Sequence, residues 1–307
     1  METLQVKAAR TIRRWAAILL CLLAGVAARG QESIHIATLN CYWFFNGNET
    51  NGRADLPRTK IEYTTKAGHL IGLLPAEAPL LVGVQEIGDQ NDIQALARSA
   101  TARFKRPYRA LFAQGKDTAT GQDVGAIFNT AAGWGVYGRP SRVSDLEREL
   151  SKHLVVRLTN AVTSMDICVV HLRRPIGAEG HEKQVEQCRA LLRWGMRHLA
   201  TDPKANLVIL GDFNEGKPVG RADQSLAVLF QTRPPMCDAL SMVDGKVATH
   251  ADGRAYDRIM LSDAIVKGSA KLKFETVEIR SHRHGKGDER RAYTDHFPVV
   301  ATLRITR

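Results

Sequence analysis

An α/β or α+β sandwich in one domain is the fold class this sequence predicts, and three features predict it. Short apolar runs suited to buried strands recur along the chain. Segments with helical spacing separate them, and no Pro/Ser-rich linker or short-period repeat divides the chain. The 307 residues, 44% apolar and 24% charged, suffice for one large domain and exclude a disordered or collagen-like chain.

The elements follow in order. IHIATL at 34–39 reads as a strand, and residues 58–74 as a helix with Ile61, Leu70, Leu73 and Leu74 as apolar contacts. PLLVGVQ at 79–85 is a short apolar run suited to a buried strand, followed by a helix near 91–103. DVGAIFN (123–129), HLVVRL (153–158) and MDICVVHL (165–172) are further strands. Residues 179–200 form a long helix, with Val185, Cys188, Leu191, Leu192, Met196 and Leu199 at helical spacing. LVILG at 207–211, a helix near 222–231, YDRIML, KFETVEI and FPVVATLRI complete the set, and the charged segment 281–292 reads as an exposed loop.

The N-terminus is a separate matter. Lys7, Arg10, Arg13 and Arg14 precede the apolar run WAAILLCLLAGVAA. A basic stretch, a short apolar run and small residues form the pattern of a secretory signal peptide, here residues 1–28 with cleavage after Ala28. At 14 residues the run is short of a bilayer span, which needs about 20. The expected product is residues 29–307, a secreted or periplasmic monomer with no stable membrane insertion. Its loss of four basic residues and Glu2 leaves a formal charge of +8 from the +11 of the full chain. A basic surface favours a polyanionic partner. An exported chain permits disulfides. Cys41 and Cys168 read as buried thiols within strands, and one bridge, Cys188–Cys237, is the pairing expected.

The informative residues stand at strand ends. LVILGDFNEGKP runs from an apolar strand straight into Asp212, Phe213 and Asn214. A plain turn would explain that stretch alone. However, Asn40 ends the first strand, Gln85 and Glu86 end PLLVGVQ, and His171 lies near the end of MDICVVHL. Asp257 opens the YDRIML strand, and Asp295 and His296 open FPVVATL. These are the residue types that bind metal or move protons, and function sits on rims held by a rigid sheet. Glu86, Asn40 and Asp295 offer hard oxygen ligands suited to Mg2+, Mn2+ or Ca2+. Asp212 is a base for water, and Asn214 orients that water, because positions i and i+2 of an extended chain point the same way. The two histidines handle protons or a phosphoryl oxygen. Arg173 and Arg174 read equally as a phosphate grip or as a solvated charge pair. Of Tyr42, Trp43, Phe44 and Phe45, two are expected to pack and two to line a groove. Metal, carboxylate base and histidines together fit hydrolysis of a phosphate ester.

NCYWFF, VGVQEIGD, VVHL, ILGDFNE, YDRIMLS and TDHFPVVATL, in that order over about residues 34–303, resemble the motifs of the endonuclease/exonuclease/phosphatase superfamily. The resemblance implies a DNase I-like four-layer α/β sandwich: two mixed sheets face to face, helices outside, the site at one rim. It implies Glu86 as main metal ligand with Asn40 and Asp295 near it, and Asp212 and Asn214 at the attacking water. It places His296 on the scissile phosphate, oriented by Asp257, with His171 on the other side. The tyrosine or arginine many members place between the second and third motifs has no clear match; Tyr108, Arg139 and Lys152 all qualify. The implied activity is a Mg2+-dependent phosphodiesterase acting on nucleic acid. A lipid-headgroup phosphodiesterase of sphingomyelinase type, an inositol- or sugar-phosphate phosphatase, and a non-catalytic binding module are the competing readings. A lipid enzyme needs an exposed apolar hairpin, and only 42–45 is available for one.

Overall fold

Strands here carry apolar residues on both faces, so each must be covered twice, and the architecture follows from that requirement. The computed structural model describes residues 33–46, 60–117, 119–143, 146, 148–216, 224–231, 236–244, 247–281 and 294–306. The proposed signal segment 1–28 and nearly all of the charged stretch 281–292 lie outside the described residues.

In chain order the elements are β1 (Ser33–Phe44), α1 (Lys60–Gly72), β2 (Leu81–Ile87), α2 (Gln90–Phe104), β3 (Tyr108–Phe112), β4 (Asp123–Asn129) and β5 (Gly135–Ser141). Then come β6 (His153–Thr159), β7 (Ser164–His171), α3 (Gly177–Thr201), β8 (Leu207–Asp212) and α4 (Gln224–Ala227). The last are β9 (Met236–Asp238), β10 (Asp257–Ser262), α5 (Asp263–Lys267), β11 (Leu272–Ile279) and β12 (Val299–Ile305). They build two six-stranded mixed sheets, ordered β11-β12-β1-β2-β4-β3 and β5-β6-β7-β8-β10-β9. Each sheet has one parallel pair, β1/β2 and β7/β8. A parallel pair needs a crossover, and α1 and α3 supply it.

Inward residues of both sheets meet in one core: Ile34, Ile36 and Leu81 of the first, Ile167, Val208 and Ile259 of the second. The opposite face of the first sheet, Ala37, Leu39, Val82 and Val84, packs on Leu70 and Ile71 of α1, on Leu74 just beyond it, and on Ile93 and Leu96 of α2. The opposite face of the second, Cys168, Val170 and Ile209, packs on Cys188, Leu191 and Trp194 of α3. The order of layers is helix, sheet, sheet, helix, as the resemblance implies. The sheets come close where side chains are small: a Cβ on Gly83 would stand 2.2 Å from Leu210 Cδ1.

Three expectations are corrected. Met196 in α3 is exposed, since it falls off the stripe of Cys188, Leu191 and Leu199. The predicted helix near 222–231 is one short α turn, Gln224–Ala227, followed by a 3-10 turn, Val228–Gln231. The Cys188–Cys237 bridge does not form: Cys41, Cys168, Cys188 and Cys237 are all free thiols. Met236 packs in the same cluster as Cys188, so alternation along β9 turns Cys237 to the other face.

Candidate active site

Alternation decides which side chains reach the rim. In β1 the inward face runs Ile34, Ile36, Thr38 and then Asn40. In β7 it runs Ile167, Val169, His171; in β8, Val208, Leu210, Asp212; in β10, Leu261, Ile259, Asp257. Each of these polar residues is the rim position of its strand's inward face. Register then aligns them, with His171 opposite Asp212 and Asp212 opposite Asp257.

Glu86 breaks the alternation. Its neighbour Gln85 takes the inward position and accepts a bond from Thr38 Oγ1 (3.2 Å). The register slips between Gln85 and Ile87, and Glu86 adopts a left-handed φ of 59°. A bulge of this kind re-aims a side chain, and it brings the carboxylate to Asn40. β1 slips as well, between Asn40 and Phe44, with Tyr42 at φ 46° and Trp43 at φ 50°. Four of the five described non-glycine residues at left-handed φ sit here, Asn214 (φ 51°) being the fourth. Such conformations cost about 1–3 kcal/mol each and cluster at functional sites.

The polar groups converge on one carboxylate. Asn40 Nδ2 donates to Asp212 Oδ2 (2.9 Å) and to Glu86 Oε1 (3.1 Å). His171 Nε2 and His296 Nε2 stand 3.7 and 3.9 Å from the same Asp212 oxygen. His296 Nδ1 lies 2.8 Å from Asp257 Oδ2, which also accepts from Thr249 Oγ1 (3.0 Å). Asn214 is beside Asp212, though not for the reason its spacing suggests: its backbone is left-handed rather than extended. Its N–H donates to Asp212 Oδ1 (2.7 Å) and its Nδ2 to Leu172 O (2.9 Å). Asp295 lines the same cleft, with Oδ2 3.0 Å from His250 Nε2 and Oδ1 3.8 Å from His296 Nε2.

His250 was not foreseen. It lies in a turn, and a backbone bridge to His296 brings the two rings to 4.7 Å. Lys152, one of three residues left open by the sequence, lines the cleft, whereas Tyr108 Oη is buried on Pro79 O and Arg139 lies on the exposed strand β5. Its Nζ contacts Asp117 Oδ2 (2.9 Å) and Gln122 Oε1 (3.3 Å).

Burial and charge set the protonation states. Burial pushes Asp212 up to about 6, aided by Asp257 and Glu86 and opposed by His296. Burial opposes charge on His296, but Asp257, Asp212 and Asp295 outweigh it and raise the imidazolium to about 10. His171 is held well below the usual range by burial, Lys152 and His296, so its contact with Asp212 is that of a neutral ring. His250 is raised, since Asp295 and Asp252 overcome its burial.

The site opens into a cleft of about 940 Å³ lined by Glu86, His171, Asp212, Asn214 and His296, with Lys152, Arg173 and Arg174 on its walls. Both arginines are exposed, and neither guanidinium is paired with a carboxylate among the described residues. Phe44 and Phe45 are buried, whereas Tyr42 and Trp43 line the cleft. The two-and-two division expected of this run holds, so residues 42–45 do not form an exposed apolar hairpin. The donor set suits a hard cation: Glu86 Oε1 and Asp212 Oδ2 both lie within 3.1 Å of one amide nitrogen, and Glu86, His171 and Asp212 form a group able to hold a metal ion. His250, Asp295 and His296 form another.

No protein-family profile matches the chain, and no curated protein does. Solved structures do. A humanized TDP2 of D. rerio superposes with a TM-score of 0.58 at 15% identity, over 89% of this chain and 100% of that one. The chain has the endonuclease/exonuclease/phosphatase fold. Two further proteins of that description agree. One from Bacteroides vulgatus has a TM-score of 0.57 at 16% identity, over 90% of this chain and 100% of its own. One from Beutenbergia cavernae has a TM-score of 0.59 at 16% identity, over 90% and 72%. In this fold the rim just described lies where the first sheet's β1 and β2 meet the second sheet's β7, β8 and β10.

Proposed function

We propose that the chain is a divalent-metal-dependent phosphodiesterase that hydrolyses the phosphodiester bonds of DNA or RNA. One observation carries this reading: Asn40, His171 and His296 surround a single oxygen of Asp212 at the floor of a cleft whose walls bear Lys152, Arg173 and Arg174. Glu86 would hold the cation with Asn40 at its side, and the oxygen donors suit Mg2+, with Mn2+ or Ca2+ as substitutes. When bound, the cation neutralises charge on the phosphoryl oxygens and lowers the pKa of a water.

The chain's own groups supply the rest. Asp212 takes the proton of the attacking water, and Asn214 fixes where that water stands. His296 is cationic at neutral pH, and its Nδ1 is anchored on Asp257. Its Nε2 therefore faces the cleft and stabilises the negative charge that grows on the phosphoryl oxygens. His171 is neutral and offers a hydrogen bond from the other side of Asp212. Asp295 holds His250 and flanks His296. Arg173 and Arg174 grip the flanking backbone phosphates.

The basic-apolar-small pattern of residues 1–28 supports export, so the working enzyme is secreted or periplasmic. No helix among the described residues is long and apolar enough to cross a membrane.

A substrate panel tests the reading. Purified chain is incubated with plasmid DNA, RNA, sphingomyelin and inositol phosphates, with Mg2+ and with a chelator. Cleavage of nucleic acid that the chelator stops is the expected result. Turnover of the lipid or the phosphomonoesters with both nucleic acids intact would overturn it.

A further inference from the structure

We infer that Tyr42 and Trp43 form the subsite for an unpaired nucleobase next to the scissile phosphate, which makes single-stranded nucleic acid the substrate class. The inference rests on the nuclease reading above.

The backbone is the first argument. Tyr42 and Trp43 are consecutive left-handed residues, φ 46° and 50°, inside a bulge of β1. That conformation suits neither aromatic residue, and it undoes the alternation of the strand. Its effect is to bury Phe44 and Phe45 while leaving Tyr42 43% exposed at the cleft. An aromatic ring kept out of a core that accepts its two neighbours is a ring with another use.

The second argument is position. The Tyr42 N–H donates to Asn40 Oδ1 (2.9 Å), and the Trp43 N–H donates to Glu86 Oε2 (3.0 Å). The pair is thereby tied to the two residues that would hold the cation. Trp43 is further braced edge-on by Phe45, centroids 5.6 Å apart. A phosphate engaged at the cation that Glu86 would hold leaves the adjoining nucleoside within reach of these rings, and bases stack on aromatic platforms whatever their sequence.

The third argument is charge. Lys66 Nζ lies 5.7 Å from the centroid of the Tyr42 ring and also donates to Tyr42 O. A cation already occupies one face of that ring. A quaternary ammonium headgroup, the other ligand aromatic rings attract, would meet Lys66 there and Lys152, Arg173 and Arg174 in the same cleft. A neutral base carried on an anionic backbone meets no such repulsion. In a duplex that base would be stacked and paired, so the exposed ring selects single strands or frayed ends.

The test compares a single-stranded oligonucleotide with the same strand made abasic at its centre, using wild-type chain, Tyr42→Ala, Tyr42→Phe and Trp43→Ala with Mg2+. Either alanine should raise KM on the base-bearing strand by about 10- to 100-fold, the size of one base–aromatic stack. The preference for the base-bearing strand over the abasic one should collapse by the same factor, and Tyr42→Phe should keep it. Unchanged KM in both alanine variants overturns the subsite alone. So does an equal loss on both strands, which would mean damage to Glu86. A wild-type chain that leaves both strands whole while hydrolysing a choline phosphodiester overturns the nuclease reading itself.

Discussion

His171 and His296 flank one oxygen of Asp212, yet they carry different charges. Asp257 makes the difference, because it contacts His296 at 2.8 Å, whereas His171 Nδ1 is buried with no hydrogen-bond partner among the described residues. Two titratable groups pushed apart in this way can divide a proton-transfer task. Glu86→Ala and His296→Ala should each lower kcat/KM by at least about 100-fold while circular dichroism stays unchanged. Asp257→Asn should cost about 10- to 100-fold, because the ring stays but loses its anchor and part of its charge. Full activity in Glu86→Ala and His296→Ala would show that the site lies elsewhere. Away from the chemistry, burial raises Asp123 to about 7 against the pull of Gly115 N–H, Arg142 and Lys152. The unfolded carboxyl releases its proton near 4, whereas the folded one holds it until about 7. Stability contributed by this group therefore falls as pH rises through that window. Asp123→Asn should remove the fall and leave the variant more stable than wild type at pH 8 by about 1–3 kcal/mol. Melting temperatures measured from pH 4 to 9 decide it; parallel curves for the two proteins would refute the assignment.

At the scale of elements, the site depends on places where strands depart from regularity. Gly211, next to last in β8, has φ 147°, and a Cβ there would stand 1.9 Å from Val170 O. Gly211→Ala must push β7 from β8 just where His171 pairs with Asp212. It should destabilise the fold by about 2–4 kcal/mol, read as a lower urea midpoint, and lower kcat in the surviving folded fraction. A wild-type midpoint would mean the two strands can separate without cost. The same irregularities limited what the sequence could say. Strand runs such as 123–129 and 165–172 were legible because apolar residues follow one another almost without a break along them, as strands covered on both faces require. β3, only Tyr108–Phe112, and β5, an exposed edge strand containing Gly138 and Pro140, lack that signal. β9 has three residues, Met236–Asp238, too few for a period. The i, i+2 argument for Asp212 and Asn214 fails on geometry, since a left-handed turn rather than an extended strand sets Asn214 beside Asp212.

At the scale of the whole molecule, the two sheets contribute unequally to the site. The first supplies Asn40, Glu86 and the aromatic pair, and the second supplies His171, Asp212 and Asp257. Neither half has a reactive rim without the other. A formal charge of +11 and the basic cleft walls should make binding of a nucleic acid depend on salt. KM for an oligonucleotide is expected to rise at least about tenfold between about 50 and 200 mM NaCl, while turnover of bis(p-nitrophenyl) phosphate stays nearly level. A salt-independent KM would count against a phosphate-backbone substrate.

The sequence by itself determined the α/β class and the residue types at the rim, and the order of layers came with the resemblance of its motifs. Class and residue types are written in local patterns: short continuous apolar runs, helical stripes, and the polar residue that ends each run. Only the tertiary structure decided what those residues touch. The contacts of Asn40 with Asp212, of Asp257 with His296, and of Asp295 with His250 join positions 172, 39 and 45 residues apart. No local pattern records such a pairing. The bulge at Glu86, the charge of each histidine, the standing of His250 and Lys152 in the cleft, and the free thiols all depend on neighbours that the chain brings together only when its two sheets close.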